Sequence, residues 1–144
     1  MRRPSNPATA PIPAGSALRQ FAMTTLILEA MVIGFFGLAA FGLRSAATGV
    51  IWTLTGVGIL AAIASTVLVV KIPKAGVIAG SITQGFLLTM AAWIPLSLLV
   101  SVPMLGLWIL SVYFGAKVDR ERAVRRVEQA RWEAKNPAEE AEEG

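Results

Sequence analysis

The stretch Phe21 to Leu43 reads FAMTTLILEAMVIGFFGLAAFGL, an apolar run broken by one ionisable residue, Glu29. At about 1.5 Å per helical residue, its 23 residues reach about 35 Å, more than the ~30 Å hydrocarbon core of a bilayer. Every other acidic residue lies after position 118. The run is therefore long enough to cross a membrane, and its one charge sits where a charge is costly.

The rest of the composition agrees. Of 144 residues, 55% are hydrophobic and 15% charged, with a mean hydropathy of +0.64. A soluble domain carries about 25% charged residues. The charges are also crowded into the two ends, so the middle is poorer still. No cysteine is present, which excludes disulfides, thiolate metal sites and thiol nucleophiles. No histidine is present either, which removes the commonest general base and metal ligand. Neither a metal site nor a cofactor is expected.

Outward from the first run, residues 1–17 carry Arg2, Arg3 and four prolines among small residues, and read as a disordered arm. The apolar run that follows exceeds the roughly 7–15 residues of a signal-peptide core and lacks a clear cleavage site, so retention is expected. Helix one spans about 18–43 and helix two about 50–70. The turn Lys71-Ile72-Pro73-Lys74 pairs a helix-discouraging proline with two interfacial lysines. Helix three spans about 75–94. Pro95 breaks the chain, and helix four spans about 98–116, with a kink expected at Pro103. The short uncharged connection between the last two predicts a tight antiparallel hairpin. Continuous apolar runs of about 20 residues, not alternating strands of about ten, specify helices over a barrel. The expected fold is all-α: an integral membrane four-helix bundle forming one transmembrane domain over 18–116.

Of the 13 basic residues only Arg44 falls on the side opposite the termini, so the positive-inside rule places both termini in the cytoplasm. Trp52 and Trp93 near the outer ends, and Phe21, Tyr113 and Phe114 near the inner ends, suit two aromatic belts. Beyond the fourth span, residues 117–135 read as a cytoplasmic basic helix with seven basic and four acidic residues. Residues 136–144 read as a disordered acidic tail. Membrane lipid is an expected partner. Mixed charge along the basic helix favours a solvated stub over a lipid-binding patch. Nucleic acid is not an expected partner, because no base-stacking aromatics interleave the cations.

Counting from the inner charges places Glu29 and Gln84 ten residues in, about 15 Å deep, with Trp108 at similar depth. A carboxyl and an amide at matched depth on two helices are natural hydrogen-bond partners. Low dielectric disfavours a charged carboxylate, so a neutral Glu29 donating to Gln84 is expected. Thr25 shares the Glu29 face. Ser101, Trp108, Ser111 and Gly115 share a face of helix four. Gly76 and Gly80 stand one turn apart on the Gln84 face and permit close helix packing. Intramembrane serines occur at 65, 81, 97, 101 and 111, but with no histidine or aspartate at depth none has an activating base. No catalytic constellation is present, and no enzyme activity is expected.

Leu26-Ile27-Leu28-Glu29-Ala30 in the first span, one glutamine in the third, Trp108 in the fourth, and Gly115 followed by Asp119 and a basic tail form a pattern. It resembles the actinobacterial four-helix membrane proteins known as domain of unknown function 4233, over about 18–123. The lysine turn at 71–74 departs from the arginine-rich turn of that family. The resemblance implies the fold, a multi-pass location in the bacterial inner (cytoplasmic) membrane and an interest in Glu29; it carries no activity.

Two functions fit these features. The first is a non-enzymatic accessory or scaffolding component, with Glu29 and the glycine faces serving packing or contact with another membrane protein or a second copy. The alternative is a small proton-coupled transporter using Glu29, working as a dimer. An intramembrane acid is a proton or cation site by default, but a lone carboxyl makes no relay.

Overall fold

The computed structural model describes residues 12–135. The proline-rich stretch up to residue 11 and the acidic segment 136–144 lie outside the described residues. Four long helices follow one another: α1 (Ala17–Gly42), α2 (Thr48–Lys71), α3 (Pro73–Thr89) and α4 (Leu98–Lys135). Counting the 3-10 turns Met90–Ala92 and Pro95–Ser97 with their neighbours, all four are long and apolar enough to cross a membrane.

Local chemistry sets the helix ends. Ser16 caps α1, its Oγ accepting from the Arg19 amide at 3.3 Å. At the other end the amides of Arg44 and Ser45 donate to the carbonyls of Phe41 and Ala40, both at 3.1 Å. This paired closure needs a left-handed residue, and Arg44 adopts φ 50° where glycine is usual. Between α2 and α3, Ile72 leaves the helical region (φ −138°, ψ 88°) because Pro73 follows it. Pro73 then occupies the first position of α3, where its missing N–H costs nothing.

The third helix differs from expectation. It was expected to continue to residue 94, but the α-helix ends at Thr89 and tightens into a 3-10 turn. The cause is Pro95, which holds Ile94 extended (φ −132°, ψ 85°). The Trp93 and Ile94 amides both fold back on the Met90 carbonyl. By contrast, α4 runs through Pro103 and past residue 116 to Lys135 as one helix.

The helices pack as a ring in which α1 contacts α2, α2 contacts α3, and α4 closes against α1. The α3–α4 contact, expected to be tight, is the loosest of the four adjacent pairs. The Trp108 ring of α4 sits over Gly80 of α3 and keeps the two backbones apart. Elsewhere glycines let backbones meet: a methyl at Gly76 would overlap the Val69 backbone, and one at Gly115 would overlap Leu18.

The exterior is the apolar part. Leu99 (74%), Ile82 (68%), Leu60 (67%) and Phe35 (66%) are exposed, whereas Glu29, Thr55, Ser65, Thr83, Gln84, Ser97 and Ser101 are buried. A water-soluble bundle buries its large aliphatics and exposes its charges. Here many large aliphatics lie outside while one carboxyl, several hydroxyls and an amide lie inside, the arrangement that suits a lipid solvent. Three small apolar layers line the interior: Ala40, Ile51 and Ile94 towards Arg44; Ile33, Leu87 and Met90; and Ala22, Leu26, Val69 and Trp108 towards the opposite end.

Candidate functional site

The polar centre lies between the second and third of those layers. Glu29 follows Leu26 and precedes Ile33 on α1, so its neighbours along that face belong to two different apolar layers. Glu29 is 0% exposed and Gln84 2%. Gln84 Nε2 donates to Glu29 Oε1 at 2.7 Å. Helices α1 and α3 stand across the ring and share few other contacts, Ile33 and Leu87 among them, so this bond ties the bundle across its diagonal. Among the described residues, Glu29 Oε2 and Gln84 Oε1 have no hydrogen-bond partner. These two atoms are complementary in one state only. A proton on Oε2 would donate to Gln84 Oε1 and close a cyclic acid–amide pair, satisfying both groups.

Several other polar side chains pair locally, whereas the buried Ser97 Oγ has no partner among the described residues. Thr25 Oγ1 and Ser111 Oγ lie 2.5 Å apart and join α1 to α4. Ser65 Oγ and Thr83 Oγ1, 3.1 Å apart, join α2 to α3. Ser101 Oγ donates to the Leu87 carbonyl at 3.0 Å and joins α4 to α3. Trp108, grouped by depth with the acid–amide pair, does not bond to it. Its indole Nε1 donates to Ser81 Oγ at 3.2 Å while the ring covers Gly80. Of the residues singled out in the sequence, Glu29 and Gln84 meet each other, Thr25 meets Ser111, and Gly80 meets Trp108. Gly76 is spent on α2. No group of three or more His, Cys, Asp or Glu side chains suited to a metal occurs among the described residues.

A second cluster sits where α4 leaves the bundle. Asp119 turns its carboxylate onto the start of α1, accepting from Ser16 Oγ at 2.5 Å and from the amides of Ala17 at 2.6 Å and Leu18 at 3.1 Å. An anion here satisfies orphan amides and meets the positive end of the helix dipole. Partial burial pushes the Asp119 carboxyl up, but the bonds from Ser16, Ala17 and Leu18 and the Arg122 charge outweigh it and hold it below its usual value. Further along α4, Arg122 donates to the Gly15 carbonyl at 2.9 Å and Arg126 to that of Pro13 at 3.3 Å. Residues 13–16, expected to be unfolded, are thus held along α4, and Ala17 already belongs to α1. In the sequence Asp119 stands out only as part of the family pattern. The available signal was a lone acid one turn beyond Gly115, facing a Ser-Ala-Leu helix start.

A ring of four such helices, apolar outside and with buried polar side chains between apolar layers inside, defines a class: a helical bundle of membrane-spanning type organised around a buried acid–amide pair. Within that class the chain belongs to a family of proteins of unknown function, DUF4233, whose family model matches residues 19–124. The match takes in Glu29, Gln84, Trp108 and Asp119. No curated protein and no solved structure matches the chain.

Proposed function

We propose that the protein is a multi-pass component of the bacterial cytoplasmic membrane with both termini and the α4 extension in the cytoplasm. In this reading it acts as a non-enzymatic accessory or scaffolding subunit for another membrane protein. The observation that supports it most is the complete burial of Glu29 against Gln84, flanked on α1 by members of two apolar layers. A carboxyl enclosed in this way serves helix assembly, and the outward-facing apolar surface is left for lipid and partner. The uneven charge, with Arg44 alone at one end, supports the assigned orientation.

The second reading is a small proton-coupled transporter in which Glu29 carries the proton. It draws on the unpaired Glu29 Oε2 and Gln84 Oε1 at the bundle centre. One pair of measurements separates the two. In the accessory reading, purification in mild detergent brings down a defined membrane partner, and Glu29→Gln leaves proton flux into proteoliposomes at the background of empty vesicles, as the native chain does. Substrate-driven flux that the native protein supports and Glu29→Gln abolishes, with the chain purifying alone as a dimer, overturns it.

A further inference from the structure

Five basic side chains gather at one end of the bundle. Arg19 lies in the first turn of α1, Lys71 ends α2, Lys74 lies in the first turn of α3, and Lys117 and Arg120 follow Gly115 on α4. Packing fixes their common level. Gly115 rests on Leu18, Gly76 rests on Val69, and Val69 shares a layer with Ala22 and Leu26. Lys71 and Lys74 therefore stand at the height of the first turns of α1, as Lys117 does. All five are exposed. Two acids lie at this level: Asp119, already engaged by Ser16 and the first amides of α1, and Glu121, four residues from both Lys117 and Arg125. The large apolar side chains Phe21, Ile72, Tyr113 and Phe114 are exposed at or within about two turns of these cations. The collar thus borders the apolar exterior where a hydrocarbon layer would give way to headgroups.

We propose that this collar is a binding surface for anionic lipid headgroups, which would surround the protein selectively on that face. The inference rests on the membrane-spanning reading above. Charge complementarity assigns the occupant: among the described residues the cations at this apolar boundary outnumber the acids and meet the phosphate level of a bilayer, whereas the other end offers Arg44 alone. The remaining cations of α4 do not contribute. Arg122 and Arg126 are committed to the carbonyls of Gly15 and Pro13, and Arg125 stands four residues from Glu121, whose opposite charge offsets it. Arg131 and Lys135 lie 14 and 18 residues beyond Lys117 along an unbroken helix, more than 20 Å away at about 1.5 Å per residue. That exceeds the ~8–10 Å over which charge acts at physiological salt.

The test uses the full chain in phosphatidylcholine vesicles containing trace spin-labelled phosphatidylglycerol or spin-labelled phosphatidylcholine. The motionally restricted fraction of each label gives their relative association with the protein. The native chain is expected to prefer phosphatidylglycerol, and each neutralised collar charge to reduce that preference by up to about fivefold. Lys71→Gln/Lys74→Gln and Lys117→Gln/Arg120→Gln should each lose preference. Lys71→Arg/Lys74→Arg should keep it, as should the distal Arg131→Gln/Lys135→Gln. Equal association of both lipids with the native chain overturns the proposal, as does a preference lost equally in the distal variant. Resistance of the reconstituted protein to alkaline carbonate extraction reports spanning separately, so failure of the collar and failure of the membrane reading are distinguishable.

Discussion

Replacing Glu29 by leucine removes one half of the diagonal bond and leaves the other half buried. Gln84 is 2% exposed, its Oε1 already has no partner among the described residues, and its Nε2 would lose the 2.7 Å bond to Glu29. An unsatisfied buried donor costs about 1–3 kcal/mol. In a bilayer the unfolded reference also finds partners, and interhelical hydrogen bonds average about 0.6 kcal/mol with a maximum near 1.7. A cost of about 1–2 kcal/mol is therefore expected for Glu29→Leu, and a similar cost for Gln84→Leu, which strands the carboxyl. The double variant strands neither, so it should be more stable than the sum of the single costs predicts. The expected coupling is about 1 kcal/mol, well above the ~0.3–0.5 kcal/mol scatter of independent sites. Reversible unfolding in mixed micelles, followed by circular dichroism, measures the cycle. Glu29→Gln supplies a neutral donor for Gln84 Oε1 and should be at least as stable as the native chain. A coupling indistinguishable from zero, or a Glu29→Gln variant as unstable as Glu29→Leu, would refute the reasoning.

Gly80→Ala places a methyl against the Trp108 ring and should cost about 1–3 kcal/mol in the same unfolding measurement. Trp108→Leu should recover most of that loss, whereas Gly76→Ala meets the backbone of Val69 and should gain nothing from Val69→Ala. Thr25→Val removes the partner of Ser111 and should cost less than Glu29→Leu, about 0.5–1 kcal/mol, because Ser111 is only partly buried and can find another acceptor. Asp119 has a lowered folded-state pKa, so its contribution to stability is fully present above the unfolded value of about 3.9 and is lost as pH falls through the lower folded value. Asp119→Asn should therefore melt below the native chain at pH 7, with the difference closing in acid. Equal melting temperatures at neutral pH would remove the cap from the account. Cleavage near Gly15 by an added protease should also rise in Asp119→Asn.

Helix number and type were legible because apolar runs of this length leave few alternatives. The pairing of Glu29 with Gln84 was legible because two interior polar residues at one depth have little else to bond to. The end of α3 was not, since the apolar run continues to Ile94 and only the backbone constraint of Pro95 stops it. Ring order was also hidden: hydropathy says which residues face lipid but not which helix stands beside which. The cap of α1 by Asp119 spans about a hundred positions in the chain and depends on α4 continuing straight past Gly115. Composition alone reads residues 13–16 as part of an unfolded arm, because the partners that hold them lie far along the chain.

The diagonal position of the acid–amide pair also bears on why a costly carboxyl stands there. Ring neighbours are positioned by glycine contacts and short hydroxyl pairs, but α1 and α3 are set against each other mainly through Glu29 and Gln84. Two leucines would fill the same space with no preferred height, since apolar contacts tolerate sliding where a hydrogen bond does not. Buried polar groups fix register in this way in coiled coils, at some expense in stability. The Glu29→Leu/Gln84→Leu variant should then keep its helix content and much of its stability while losing a unique α1–α3 register. The chain has no cysteine, so two introduced thiols report register without background. Ile33→Cys on α1 joins Leu87→Cys on α3 or Met90→Cys in the 3-10 turn that follows it within one apolar layer. In the otherwise native chain, one of these pairs should oxidise much faster than the other. In the double-leucine background the two rates should converge. An unchanged preference there would mean that the glycine and hydroxyl contacts around the ring already determine the register, leaving Glu29 without a structural purpose and favouring proton carriage over assembly as its role.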